Sequence, residues 1–221
     1  MSSENTVDWL GVLVPRVQLN ESLLGPRDLL ADSAKNGDWG SVLATLDDNM
    51  TLTANDWRPG GSSWFGPLHQ AAWLGAPESV VRALVERGAW RSLRDSAGRR
   101  PVDIARERGH AQTVEALTPV YDVSLAPETA AAISRRLAEL VEEAAARATD
   151  GRVEIRHLDV QCLAERSDRV WFPIPGMYGG FSVELFKRRL HVESWSRVVG
   201  GSGRAYVITA ERTVLVDEGF V

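Results

Sequence analysis

The hydrophobic side chains of this protein follow two different periods along the sequence. Up to about residue 148 they recur every three or four positions, as they do along one face of an α-helix. After Asp150 and Gly151 they alternate with polar side chains, as they do along a half-buried β-strand. The pattern therefore predicts helices first and a sheet afterwards, which is an α+β fold.

The predicted helices of residues 27–120 come in pairs whose members are separated by a glycine. In the middle pair, Pro67 is predicted to begin the first helix, because N–H groups in the first turn have no partner within the helix and proline lacks that group. Gly75 can end the same helix in a left-handed conformation. The second helix of this pair is indicated by an apolar stripe at Val80, Val81, Leu84 and Val85. A later pair repeats the arrangement around Gly109, and an earlier pair repeats it more weakly around Gly37.

The first helix of the middle pair begins with the sequence PLHQAA at Pro67–Ala72. A degraded copy, PVDIAR, stands at Pro101–Arg106, thirty-four positions later (from 67 to 101). The sequence P-L-H-x-A-A at a period near 33 resembles the ankyrin repeat. This resemblance, which is to bacterial ankyrin repeat proteins, covers roughly residues 27–118. It implies about three stacked repeats with a concave groove and finger loops that bind a protein partner.

The resemblance also places partner contacts at particular positions. The two residues before each glycine line the groove in ankyrin proteins, and finger tips add further contacts. The residues predicted in this way for the middle and last repeats are Trp73, Leu74, Arg99, Glu107 and Arg108.

Three further tryptophans of the repeat region are predicted to contact the partner. Trp57 and Trp64 lie in a finger that carries about five extra residues and is rich in glycine, proline and serine, and Trp90 follows the middle repeat. Tryptophan is enriched at binding hot spots, which favours partner contact. The alternative is that Trp57 and Trp64 fold over Trp73 and bury all three side chains.

His69 is expected to be structural rather than catalytic. In ankyrin repeats the histidine of this motif ties the turn to the start of the helix, and here Gly66 replaces its usual threonine partner. The resemblance accounts for the histidine without any reaction chemistry, so we predict no catalytic residue in the repeats.

The second half is predicted to form one amphipathic helix packed on an antiparallel sheet of about five strands. The helix covers residues 127–148. Val160 and Cys162 are assigned to a strand because they alternate with polar neighbours. Hairpin turns are predicted at Lys187–Arg189 and near Glu211.

These predicted elements divide the chain into three segments. Residues 27–120 form the repeat domain and residues 121–221 form the α+β domain. A short helical array needs cover on its outer faces. Residues 1–26 are predicted to supply that cover at the N-terminal end, through Trp9, Leu10, Val12 and Val14.

Composition excludes several classes of function. The formal net charge is −5, with no basic region that could grip a phosphate backbone, so no nucleic-acid partner is predicted. No apolar window approaches the length of a membrane span, and the N-terminus does not resemble a secretory signal. The single cysteine excludes an internal disulfide and a thiolate-rich zinc site. We therefore expect a cytoplasmic protein without a membrane partner, a metal or another cofactor.

Two groups of residues in the second half contain residue types that occur in functional sites. Cys162 with His157, Asp159 and His191 has the residue types of a thiol catalytic set, but a buried cysteine that acts as a small hydrophobic residue is favoured. Gly200–Arg204 is favoured as a hairpin loop over an anion cradle because no helix follows it.

A third loop in the second half leaves two interpretations open. The two prolines and three glycines of Pro173–Phe181 specify a fixed, bent loop with Met177 and Tyr178 at its tip. Such a loop either carries contacts or bridges sheet edges, and the sequence does not choose between them.

The sequence thus favours a non-enzymatic module that binds a protein partner through the groove and the inserted finger. The alternative is a C-terminal domain that binds a small molecule or is an enzyme, with a pocket lined by Trp171, Tyr178 and Trp195 and with the repeats serving to target it. A partner that neutralises a toxin or effector would be a special case of the first hypothesis.

Overall fold

The structure is a computed structural model that describes residues 6–149, 153–197 and 202–219. The chain forms two compact units. The helical unit is Pro15–Val120, and the sheet unit combines the residues up to Val14 with those from Tyr121 onward. Helices together with a mixed β-sheet confirm the α+β fold class.

The helical unit contains three successive helix pairs after a short 3-10 turn at Arg16–Gln18. Their bounds are α1 (Glu21–Asn36), α2 (Trp39–Asp48), α3 (Pro67–Leu74), α4 (Glu78–Glu86), α5 (Pro101–Arg108) and α6 (Ala111–Leu117). Helix α3 contacts both α1 and α5, while α4 contacts both α2 and α6. The first helices of the pairs therefore form one layer and the second helices form another.

Left-handed glycines end the first helix of every pair, as the sequence predicts. Gly37, Gly75 and Gly109 have φ angles of 72°, 65° and 77°. A side chain at Gly75 would also collide with the ring of His110, since a Cβ there would lie 2.6 Å from Nδ1. These caps reverse the chain within two or three residues and bring the two helices of each pair together.

The core of the helical unit lies between its two layers. Ala71 and Ala72 on α3 are fully buried, and so is Ala105 on α5. Their small side chains allow neighbouring helices of the first layer to approach closely. Val81 and Leu84 on α4 close the core from the second layer. The apolar stripe predicted for this helix is therefore its buried face.

The sheet unit is built on a six-stranded sheet with the order β1-β4-β5-β6-β7-β8. Strands β1 and β4 are parallel and the other neighbours are antiparallel. The elements of this sheet are β1 (Thr6–Asp8), β4 (Arg169–Ile174), β5 (Gly179–Phe186), β6 (Arg189–Ser196), β7 (Ser202–Ile208) and β8 (Thr213–Gly219). A two-stranded ribbon pairs β2 (Val12–Leu13) with β3 (Glu154–Ile155), and the helices are α7 (Pro127–Thr149) and α8 (Val160–Glu165).

Of the predicted N-terminal cover, residues 1–26, the part up to Val14 belongs to the sheet unit, which corrects its predicted role as a cover for the repeats. Val7 pairs with Val170 in β4, and the Trp9 backbone N–H donates to the Trp171 carbonyl at 2.8 Å. The Trp9 indole is buried, and its Nε1 donates to the carbonyl of Arg156 at 2.9 Å. The apolar residues near the N-terminus therefore complete the core of the sheet unit.

Cys162 lies in α8, which corrects its assignment to a strand. Asp159 caps this helix by accepting from the backbone N–H of Gln161 at 2.9 Å. The cysteine is fully buried, as the sequence predicts, with Val160 and Leu163 buried beside it in the sequence. Buried residues on both sides of a short helix hide the helical period, so alternation alone misled the prediction.

The turns that join β5 to β6 and β7 to β8 confirm both predicted hairpins. Phe186 pairs with Arg189, so Lys187 and Arg188 form a two-residue turn. The second turn is closed by Thr209, whose backbone N–H donates to the carbonyl of Arg212 at 2.9 Å. Of the predicted glycine-rich hairpin loop at Gly200–Arg204, Gly200 and Gly201 lie outside the described part of the chain, and the last three residues belong to β7.

The loop at Pro173–Phe181 joins two neighbouring antiparallel strands, β4 and β5. At Gly176 φ is 81°, and a Cβ there would lie 2.4 Å from the carbonyl oxygen of Ala148. Only glycine lets this turn lie so close to the end of α7. The side chain of Tyr178 is 76% exposed at the tip of the turn.

No helix within the described residues is both long enough and apolar enough to cross a membrane. The same part of the chain holds no group of three or more His, Cys, Asp and Glu side chains arranged to bind a metal ion.

A candidate binding surface on the helical unit

The last two residues of each first-layer helix are exposed and together form one surface row. This first-layer row consists of Lys35 and Asn36 on α1, Trp73 and Leu74 on α3, and Glu107 and Arg108 on α5. Because α3 contacts both α1 and α5, its two apolar residues lie between the two polar pairs. The row therefore has an apolar centre and charged ends.

Trp73 is held at the centre of the row while part of its ring stays open to solvent. The guanidinium carbon of Arg108 lies 4.3 Å from the centre of the indole ring. Phe65 approaches the same indole edge-on, with 6.0 Å between ring centres. Trp73 nevertheless remains 37% exposed and Leu74 44% exposed. These contacts restrict the orientation of the indole, and a side chain that is already ordered loses less entropy when another molecule packs on it.

Arg99 and Glu107 are joined to each other at one end of the row. Arg99 Nη1 lies 3.0 Å from Glu107 Oε2, and its Nε donates to the buried carboxylate of Asp95 at 2.9 Å. These hydrogen bonds, first the one to Asp95, raise the pKa of Arg99. The two carboxylates therefore hold the guanidinium in one orientation and largely balance its positive charge.

Asp103 is the third residue of α5, and His69 is the third residue of α3, so the two residues occupy equivalent positions in the last and middle pairs. The Asp103 carboxylate accepts from the backbone N–H of Arg100 at 3.0 Å and from the Nε of the same residue at 3.1 Å. Burial would raise the pKa of Asp103, but these hydrogen bonds from Arg100 lower it overall. The start of α5 is thereby satisfied without a histidine.

Two of the predicted partner-binding tryptophans are in the core, which corrects their placement on the surface. Trp57 is 7% exposed and Trp90 is fully buried. Trp64 is half-buried, with a left-handed φ of 56°. The alternative in which Trp57, Trp64 and Trp73 are buried together is also not observed, because Trp73 stays exposed. Of the four tryptophans considered for binding, the structure presents Trp73 to solvent most clearly.

His69 connects two loops inside the helical unit. Its Nδ1 accepts from the backbone N–H of Gly66 at 3.3 Å, and its Nε2 lies 3.1 Å from the carbonyl oxygen of Leu93. The carbonyl can only accept, so Nε2 is the nitrogen that donates to it. The backbone N–H of Gly66 thus bonds His69 in place of the threonine side chain that is usual in ankyrin repeats.

Asn55 makes a similar connection that the sequence analysis did not identify. In the loop between α2 and α3 (residues 49–66), its Nδ2 donates to the carbonyl of Gly88 at 2.9 Å. Its Oδ1 accepts from the backbone N–H of Trp90 at 2.8 Å. An asparagine among turn residues is expected to form hydrogen bonds with the backbone close to it in sequence. The sequence therefore does not indicate that Asn55 bonds Gly88, which is thirty-three positions away.

The same loop is fixed to α1 by a buried ion pair. Arg27 Nε lies 3.2 Å from Asp56 Oδ1, and both side chains are 5% exposed. Asp56 also accepts from the backbone N–H of Thr53 at 2.7 Å, and Arg27 donates to the carbonyl of Thr51 at 3.1 Å. Such a pair is tolerated because its remaining polar atoms are bonded. The inserted loop is therefore an ordered part of the helical unit.

The residues imagined as a thiol catalytic set in the sheet unit each have a structural explanation. Cys162 is fully buried, Asp159 caps α8, and His157 Nε2 lies 3.0 Å from Glu142 on α7. His191 packs edge-on against Phe186 at the far end of the β5–β6 hairpin. The described geometry therefore gives this set no common site.

No protein-family model matches the chain. The first-layer row is consequently interpreted from its own geometry and chemistry.

Proposed function

We propose that the helical unit is a short ankyrin-type array that binds a protein partner through the first-layer row. The observation that carries the proposal is the exposed pair Trp73 and Leu74 between two polar pairs, on helix ends that lie side by side. Three helix pairs with glycine caps, and His69 bonded between two loops, support the resemblance to ankyrin repeats.

The chemistry of the row favours a folded or extended protein segment over an anionic polymer. Its apolar centre suits a large apolar side chain of the partner, and an aromatic residue supported by arginine is typical of a hot spot. The row holds two basic residues, Lys35 and Arg108, and one acidic residue, Glu107, so it lacks the uniform positive charge that nucleic-acid binding requires. We place this interaction in the cytoplasm, since the only cysteine is a buried free thiol.

The test begins with capture of partners on the full chain, followed by calorimetry with the purified partner. The double variant Trp73→Ala with Arg108→Ala removes the indole and the guanidinium that covers it. We expect the affinity to fall by at least about thirtyfold, because hot-spot truncation costs about 2–4 kcal/mol.

The matched control is Val17→Ala with Arg82→Ala, which removes an exposed apolar and an exposed basic side chain of the same unit outside the row. Circular dichroism must show both double variants folded. A row variant that binds the same partner as tightly as the control would overturn the proposal.

A further inference from the structure

A cavity of about 660 Å³ lies in the sheet unit between α7 and the face of the sheet that α7 covers. Its apolar lining includes Leu140 on α7, Met177 in the β4–β5 turn and Phe181 on β5. Its polar lining includes Arg147 on α7 with Arg204 and Tyr206 on β7. The volume is within the range of small-molecule sites, about 300–1,000 Å³.

The register of the sheet produces a gradient of polarity along the floor of this cavity. Phe181 pairs with Ser194, which in turn pairs with Arg204, and all three residues line the cavity. Paired residues lie on the same face of a sheet, so one row passes from aromatic to hydroxyl to guanidinium across three strands. A molecule lying along this row meets an apolar surface at one end and a cation at the other.

The two arginines that line the cavity are held by weak, exchangeable partners. Arg204 Nη2 lies 2.8 Å from Glu218, and the two side chains are 41% and 54% exposed. Arg147 pairs with Glu143 one turn earlier on α7, where both side chains are more than half exposed. Exposed ion pairs of this kind contribute about 0–1 kcal/mol. Either guanidinium can therefore exchange its glutamate for the carboxylate of a ligand at little cost.

Two hydroxyl groups of the lining already donate to backbone carbonyl groups. Ser196 Oγ donates to the carbonyl of Met177 at 2.9 Å, and Ser194 Oγ donates to the carbonyl of Arg204 at 3.5 Å. The hydrogen bond with Glu218, followed by the one with Tyr206, raises the pKa of Arg204. The charged donors available to an anion are thus the guanidinium groups, which bind carboxylates through paired N–H groups.

We propose that this cavity binds a small amphipathic organic carboxylate. Its carboxylate bonds Arg204 and Arg147, and its hydrocarbon body packs on Leu140, Met177 and Phe181. This is a second binding activity, located in the sheet unit, and it does not rest on the function proposed for the helical unit. The lining differs from the set predicted from sequence: Trp171 and Trp195 stack on each other at 5.2 Å, and Tyr178 is exposed at a turn.

The test is calorimetric titration of the full chain with three probes. Octanoate carries both the charge and the chain, 1-octanol carries the chain alone, and acetate carries the charge alone. We expect octanoate to bind at least about tenfold more tightly than either of the others. Equal affinity for octanoate and octanol, or for octanoate and acetate, would overturn the proposal.

Variants of single arginine residues test where octanoate binds. Arg204→Met and Arg147→Met each keep a long side chain but remove the charge, and we expect each to weaken octanoate binding at least about tenfold. Arg189→Met is the matched control, because Arg189 is exposed on β6 and alternates with buried Leu190. If all three arginine variants bind octanoate as the unmodified chain does, the proposed site is wrong.

A second pair of variants tests occupancy of the cavity without changing charge. Ala144→Trp fills the cavity from α7, whereas Ala146→Trp adds the same side chain to an exposed position of that helix. We expect only Ala144→Trp to abolish octanoate binding, with thermal unfolding used to show that both variants are folded. Unchanged binding by folded Ala144→Trp would also overturn the proposal.

Discussion

Single side chains that bond distant backbone groups hold the loops of the helical unit. His69 and Asn55 are both buried, and each bonds the backbone of the segment that follows α4. A buried backbone group left without a partner costs about 1–3 kcal/mol, which is far more than the net gain from an ordinary hydrogen bond. These residues therefore matter more for stability than their small size indicates.

Replacement of Asn55 tests this role. Asn55→Ala leaves the Gly88 carbonyl and the Trp90 N–H without their side-chain partner, and we expect a loss of roughly 2–4 kcal/mol in the free energy of unfolding. Asn55→Asp keeps the acceptor for Trp90 but removes the donor to Gly88, so a smaller loss is expected. Urea unfolding followed by circular dichroism measures both.

Asn36→Ala is the control for the Asn55 variants, because Asn36 is an exposed residue at the end of α1. We expect its effect to stay within about 0.5 kcal/mol. Equal stability of the Asn55→Ala and Asn36→Ala variants would contradict the structural role of Asn55.

At the scale of elements, the β5–β6 hairpin has continuous strand pairing, but its two turn residues have an unfavourable backbone conformation. Lys187 and Arg188 have φ angles of 48° and 66°. Residues with side chains lose roughly 1–2 kcal/mol each in this left-handed region. Two-residue hairpin turns of this type favour Asn-Gly, which is absent here.

The double variant Lys187→Asn with Arg188→Gly should therefore stabilise the sheet unit. We expect its free energy of unfolding to rise by roughly 0.5–1.5 kcal/mol, as measured by thermal and urea unfolding. Lys187→Ala with Arg188→Ala removes the same side chains but keeps both Cβ atoms, so it should give no such gain. If the Asn-Gly variant is no more stable than the Ala-Ala variant, backbone strain is not what limits this turn.

At the scale of the whole molecule, the sheet unit is formed by two separate segments of the chain, which lie on either side of the helical unit in the sequence. Strand β1 lies parallel to β4, although Val7 and Val170 are far apart in sequence. Trp9 is among the largest fully buried side chains of the protein. The sheet unit therefore depends on both ends of the chain, whereas the helical unit is continuous.

Removal of residues 1–14 distinguishes this arrangement from a cover on the repeats. We expect the deletion to lower the unfolding temperature of the sheet unit or unfold it, and to leave the backbone amide NMR signals of helices α1 to α6 unchanged. Trp9→Ala should act in the same direction, with a loss of about 3–5 kcal/mol. Shifted signals in α1 and α2, with those of the sheet unit unchanged, would instead support the cover predicted from sequence.

The sequence by itself determined those features that depend on neighbouring residues. Glycine caps at 37, 75 and 109, the buried stripe of α4 and the Lys187–Arg188 hairpin all follow from local conformational preference and from the period of apolar residues. Trp73 and Leu74 were singled out through the resemblance to ankyrin repeats, in which the two residues before such a cap line the groove. The resemblance to ankyrin repeats, drawn from the same signals, stays a prediction.

Only the tertiary structure decided which distant segments meet. Pairing of β1 with β4, burial of Trp57 and Trp90, and the cavity beside Arg204 each require residues far apart in sequence to be close in space. Apolar character shows that a side chain tends to be buried, but it does not show which surface buries it. The same apolar residues near the N-terminus could cover a helix or complete a sheet, and only the packing chose the sheet.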